Sequence, residues 1–107
     1  MFFQEGLAVA IGNEAKWQGK DVDSLARKSA AGVKLSSLVA RFDSLDPDAA
    51  YAMAGSFVNR LIKTQGIAKV AEFFRACGPA GTNPAAAFAR TFGQSLDEAG
   101  AAWVASL

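Results

Sequence analysis

The chain has 107 residues, a formal net charge of +1 from 11 Lys/Arg and 10 Asp/Glu, and 51% hydrophobic residues. That length is one domain, that apolar share excludes a disordered chain, and the scattered basic residues exclude the electrostatic footprint of a nucleic-acid binder. With no His and one Cys, histidine-activated nucleophiles, zinc held by two imidazoles and an internal disulfide are excluded as well.

Residues 2–11 are apolar except for Gln4, Glu5 and Gly6. A helix here is apolar nearly all round and is expected to be buried. No basic residue precedes the run, and Leu7 to Ile11 is far too short to span a bilayer. Neither a signal peptide nor a transmembrane segment is expected, so the chain reads as soluble, with its compartment unknown. Residues 13–19 read as a loop. Asp21 or Asp23 can cap a helix through Leu25 and Ala26 that fades at Gly32. Leu35, Leu38, Val39 and Phe42 make another amphipathic turn or two, with Ser36 as the candidate cap.

Asp46 followed by Pro47 is a strong helix start. Tyr51, Ala54, Val58, Leu61 and Ile62 then recur at helical spacing, with Phe57 beside them, and Gly66 can end the helix in a left-handed turn. Val70, Phe73, Phe74 and Cys77 share one face of the next helix. Residues 78–81 contain Pro79 and form a loop. Asn83 and Pro84 repeat the cap-plus-proline signal, opening a short helix through Phe88 and Phe92 that Gly93 closes. Ser95 and Glu98 form a capping-box pattern, and the last helix buries Leu96, Ala99 and Trp103. No segment alternates as a strand does. The expected fold is all-α, a compact bundle of about five to six short helices in a single domain over residues 1–107.

Few residues invite chemistry. Gly12 and Gly19-Lys20-Asp21 lack the spacing and the Ser/Thr of a phosphate loop. Asp43, Asp46 and Asp48 lack the central Gly and terminal Glu of a calcium loop, and read as capping residues. Asp97 and Glu98 fall in a first helical turn, where the macrodipole favours them. Cys77 reads as inert core. Glu5 stands apart, falling on a helical wheel among Met1, Phe2, Ala8, Val9 and Gly12. A carboxylate there is unfavourable without a partner. Either this is an end of the fold where Glu5 reaches water, or a cation or metal meets it.

Phe3-Gln4-Glu5-Gly6-Leu7-Ala8 resembles the W-L-x-E-G-L-A segment of gluzincin-type (peptidase MA-like) zinc metallopeptidases. The run from Ala50 to Val58 is similar to that family's A-Y-x-x-x-x-S-F-V helix, and Gln65-Gly66 to its Y-G helix end. Ala87-Phe88, Phe92-Gly93, Ser95-Leu96 and Trp103 resemble its terminal A-F…F-G-x-S-L…W pattern. The resemblance spans Phe3 to Trp103 and is weakest over residues 13–33. It implies that Glu5 corresponds to the third zinc ligand, now vestigial or incomplete, and that Tyr51 faces the metal cleft. An ordinary core role for Tyr51 stands beside that reading.

The chain departs from the family where the chemistry is done. The H-E-x-x-H helix is absent, and with it both imidazole ligands and the general base. Met1 falls just before the third-ligand motif, which fits a truncated chain, a mis-assigned start or a degenerate descendant. The implied function is that of a non-catalytic C-terminal helical subdomain. It is not an enzyme and has no cofactor of its own, while a complete parent is a zinc metallopeptidase. The alternative is a stand-alone interaction or structural module with no metal. The expected partner is a second copy, joined through the N-terminal helix with Phe2 and Val9 near the contact; no nucleic acid or membrane is expected.

Overall fold

Asp46 and Pro47 open the longest helix, and the rest of the chain packs around it. The structure, a computed structural model, describes residues 2–12, 16–17, 19–30, 34–77 and 83–107. Helix α4, Pro47–Gln65, starts where an Asp46 carboxylate oxygen accepts the Ala49 N–H at 3.1 Å. Residues 52–58 of α4 are buried without a break. A helix enclosed on all sides needs small residues where its neighbours cross, and Ala52, Ala54, Gly55 and Ser56 supply them.

Helix α1, Phe2–Leu7, crosses α4 at Gly6. A Cβ on Gly6 would stand 2.5 Å from the Ala54 carbonyl oxygen, so only glycine permits this approach. The chain continues as a π-helical turn over Ala8–Gly12, whose Val9 fits against Gly55. Strands β1, Lys16–Trp17, and β2, Lys20–Asp21, pair antiparallel, with Gly19 at a positive φ of 78° in their turn. Helix α2, Val22–Ser29, is capped by Asp21, which accepts the Ser24 N–H at 3.2 Å. Helix α3, Leu35–Ala40, leads into a 3-10 turn, Phe42–Ser44. Beyond α4 come α5, Ile67–Cys77, then α6, Pro84–Phe92, and α7, Leu96–Ser106.

The fold is therefore an all-α bundle, with seven α-helices among the described residues. All eight Phe join Tyr51 and Trp103 in one continuous aromatic network. Phe57 of α4 is its hub, with ring centroids 6.1 Å from Phe2, 6.2 Å from Phe88 and 5.7 Å from Trp103. Edge-to-face pairs such as Phe3–Phe73, at 4.9 Å and 80°, set the positive ring edge against the negative face.

Several local expectations meet a different geometry. Within the segment 13–19, expected as a plain loop, Lys16–Trp17 form a short strand that pairs with Lys20–Asp21 just beyond it, while residues 13–15 and 18 lie outside the described residues. Ser36 does not cap α3; Lys34 holds the cap position without a side-chain bond, and Asp97 of α7 supplies the acceptor instead. Gly66 ends α4 at φ 89° and ψ 150°, a positive φ outside the left-handed helical region. Phe2 and Val9, expected near a contact with a second copy, are 1% and 2% exposed and belong to the chain's own core. The expected helix end at Gly32 and the loop at 78–81 lie outside the described residues.

Candidate functional site

Glu5 lies on α1 at the margin of its buried face. On the wheel it flanks Phe2 and Val9, both buried, and it is itself half-buried. Among the described residues no side chain bonds to it, and no group of three or more His, Cys, Asp or Glu gathers to hold a metal ion. The donor set of the described residues thus does not fit zinc. Tyr51 lies in the N-terminal part of α4, half-buried, its ring stacked on Phe42 at 5.6 Å and 16°. The two candidates sit on the two helices that meet at Gly6 and Ala54.

The most organised polar feature was not visible in the sequence. The Trp103 indole N–H donates to Ser56 Oγ at 2.9 Å, and the Ser56 hydroxyl donates to an Asp23 carboxylate oxygen at 2.6 Å. A serine hydroxyl has one proton to give and can accept in return, so this relay uses it fully. It ties α2, α4 and α7 together. Ser56 is 1% exposed, which closes it to any substrate, so the Ser–Asp pair is a structural clasp and not a nucleophile with its base. The partners are 33 and 47 positions away from Ser56, separations that no local pattern encodes.

The acidic residues elsewhere act as caps. Asp97 accepts both the Ser36 N–H, at 3.0 Å, and the Ser36 hydroxyl, at 3.1 Å. The backbone bond first, then the hydroxyl, hold its carboxyl below the usual range. Glu98 accepts the Ser95 N–H at 2.9 Å while Ser95 Oγ accepts the Glu98 N–H, the capping box expected here, and its carboxyl is lowered in the same way. Asp46 caps α4. Cys77 closes α5, where burial pushes its thiol pKa up, away from the reactive thiolate.

Two kinds of depression mark the surface. A polar one beside the clasp is lined by Asp23, Asn59, Arg60, Lys63, Thr64 and Ser106, with the edge of Trp103. Its hydroxyls are already committed, Thr64 to the Arg60 carbonyl and Ser106 to the Trp103 carbonyl. A larger cleft of about 320 Å³ opens between α2, α3 and the start of α4, with an apolar floor and a polar mouth.

No protein-family model matches the chain, and no curated protein or solved structure matches it significantly. No described helix is long and apolar enough to cross a membrane.

Proposed function

We propose that this chain is a non-catalytic helical scaffold. In this reading it corresponds to the C-terminal helical subdomain of a gluzincin-type zinc peptidase, with Glu5 as the carboxylate offered to a metal site whose other ligands lie on a different segment. The observation that carries the reading is Glu5 itself. The residue is half-buried, and its side chain meets no partner among the described residues. It stands on a helix that the Gly6–Ala54 approach holds close to α4. A carboxylate kept in such a place asks for a cation.

The motif residues also cohere. Ser56 and Trp103, from two separate stretches of the resemblance, meet in one buried hydrogen bond. Phe57 and Phe88, from the same stretches, are neighbouring rings. The pattern Phe3 to Trp103 thus corresponds to a single packed scaffold, the property a subdomain would retain after losing its catalytic helix.

The purified chain is expected to cleave no casein, with or without added zinc. Zinc-dependent cleavage that co-purifies with the chain and vanishes in Glu5→Ala would overturn this. Sequencing the genomic DNA upstream of the Met1 codon tests the subdomain itself. An in-frame H-E-x-x-H supports it, and an in-frame stop just before Met1 favours a stand-alone structural or interaction module. That second reading draws on the closure of the core around Phe2 and Val9. Self-association through the N-terminal helix belongs to either reading, and would use the outer stripe of Gln4, Ala8 and Ile11.

A further inference from the structure

The cleft between α2, α3 and α4 has the chemistry of a small-molecule site. Of its lining, Leu38, Leu45, Ala49 and Met53 are buried or half-buried and make an apolar floor, while Ser29, Ser37, Arg41 and Asp46 are exposed and mark its mouth. Its volume of about 320 Å³ lies at the lower end of ligand cavities, which run from about 300 to 1,000 Å³. A ligand there is small and mostly apolar, with a polar end at the mouth.

The charges at the mouth are not equivalent. The Asp46 carboxylate is engaged as the cap of α4, taking the Ala49 N–H at 3.1 Å, so the helix N-terminus offsets part of its charge. The Arg41 guanidinium has no partner among the described residues. Ser37 stands one helical turn before it, with the Arg41 N–H donating to the Ser37 carbonyl at 3.0 Å. That bond places Ser37 and Arg41 one turn apart at the end of α3, and both line the cleft. The Ser29 hydroxyl comes from the last turn of α2, on the other wall. The mouth therefore offers a cation and two hydroxyl donors over an apolar floor.

We propose that this cleft binds a small monocarboxylate with an apolar body, such as a medium-chain fatty acid. The carboxylate sits between Arg41 and the Ser37 hydroxyl, where a planar guanidinium can hold both oxygens. The chain lies on Leu38, Leu45 and Met53, removed from water.

The test is an NMR titration of the ¹⁵N- and methyl-labelled full chain with three probes of equal chain length: octanoate, 1-octanol and octylamine. Octanoate is expected to shift the methyls of Leu38, Leu45 and Met53 saturably. It should bind about tenfold or more tightly than 1-octanol, the factor a charge-assisted contact provides. Arg41→Gln should bring octanoate down to the level of 1-octanol, while Arg60→Gln, at a different cleft, should leave it unchanged. Three results would each overturn the proposal: octylamine binding as tightly as octanoate, octanoate gaining nothing over 1-octanol, or shifts that map outside the cleft. The comparison of probes on the unmodified chain decides the matter even if Arg41→Gln does not fold.

Discussion

A single buried hydroxyl, that of Ser56, joins three helices. Ser56→Ala removes the acceptor of the Trp103 indole N–H and the donor to Asp23. The indole N–H is then buried without a partner, which costs about 1–3 kcal/mol, while a bond whose partners are both replaced by apolar groups costs far less. Ser56→Ala is therefore expected to destabilise by about 1–3 kcal/mol in urea denaturation. Adding Trp103→Phe should cost less than the two single changes summed, since one interaction cannot be lost twice. Strict additivity would mean that the bond carries no energy. The acidic caps give a residue-scale prediction with a sign. Asp97 and Glu98 are held below the ordinary carboxylate range by hydrogen bonds made only in the fold. Their contribution is therefore fully present above that range and is lost as the pH falls through it to their lowered folded values. Asp97→Asn with Glu98→Gln should lower the melting temperature at neutral pH and change it little in acid, so that the acid limb of a plot of melting temperature against pH flattens. An unaltered acid limb would show that these caps do not couple to stability.

Helix starts were legible where their chemistry is local. Asp46-Pro47, Asn83-Pro84 and the Ser95–Glu98 box each spell out a start within a few residues, and each start is where the spelling puts it. The start of α3 was not legible, because its acceptor is Asp97, 61 positions away. The π-helical turn at Ala8–Gly12 and the two-residue strands were equally hidden. Neither carries a period long enough to read. At the candidate site, Glu5 could be singled out because a carboxylate on an apolar wheel is conspicuous. The cleft could not, since its walls come from three helices whose relative placement only packing decides. That packing rests on glycines at crossings. A Cβ at Gly6 would lie 2.5 Å from a backbone oxygen of α4, which cannot rotate aside. Gly6→Ala improves helix propensity by about 1 kcal/mol, but overpacking a core costs about 1–3 kcal/mol. The clash should win, and the variant should melt lower. Gly12→Ala is the control, since nothing lies within 4 Å of its added methyl. A Gly6→Ala protein as stable as the parent would mean that α1 does not approach α4 so closely.

The molecule as a whole encloses its aromatic network, and this redirects how self-association can be tested. Phe2 and Val9 are inside, so a charge at Val9 would be buried against Gly55 of the same chain. Val9→Asp is therefore expected to unfold the protein and not merely to dissociate a dimer. A buried, unpaired charge costs several kcal/mol, a large share of a domain stability of about 5–15 kcal/mol. The outward side of α1 and of the π-helical turn that continues it carries Gln4, Ala8 and Ile11, and Ile11 is 55% exposed. A contact through this helix must centre on Ile11, where an Asp would be solvated in the single copy and desolvated only in the pair. Ile11→Asp should then keep the helical circular dichroism and melting temperature of the parent while shifting light scattering coupled to size exclusion from dimer to monomer. A parent that runs as a monomer at high micromolar concentration would remove the dimer from both functional readings. A dimer unaffected by Ile11→Asp would move the contact to another face, and Ile67 at the start of α5, 53% exposed, is the next apolar anchor to substitute.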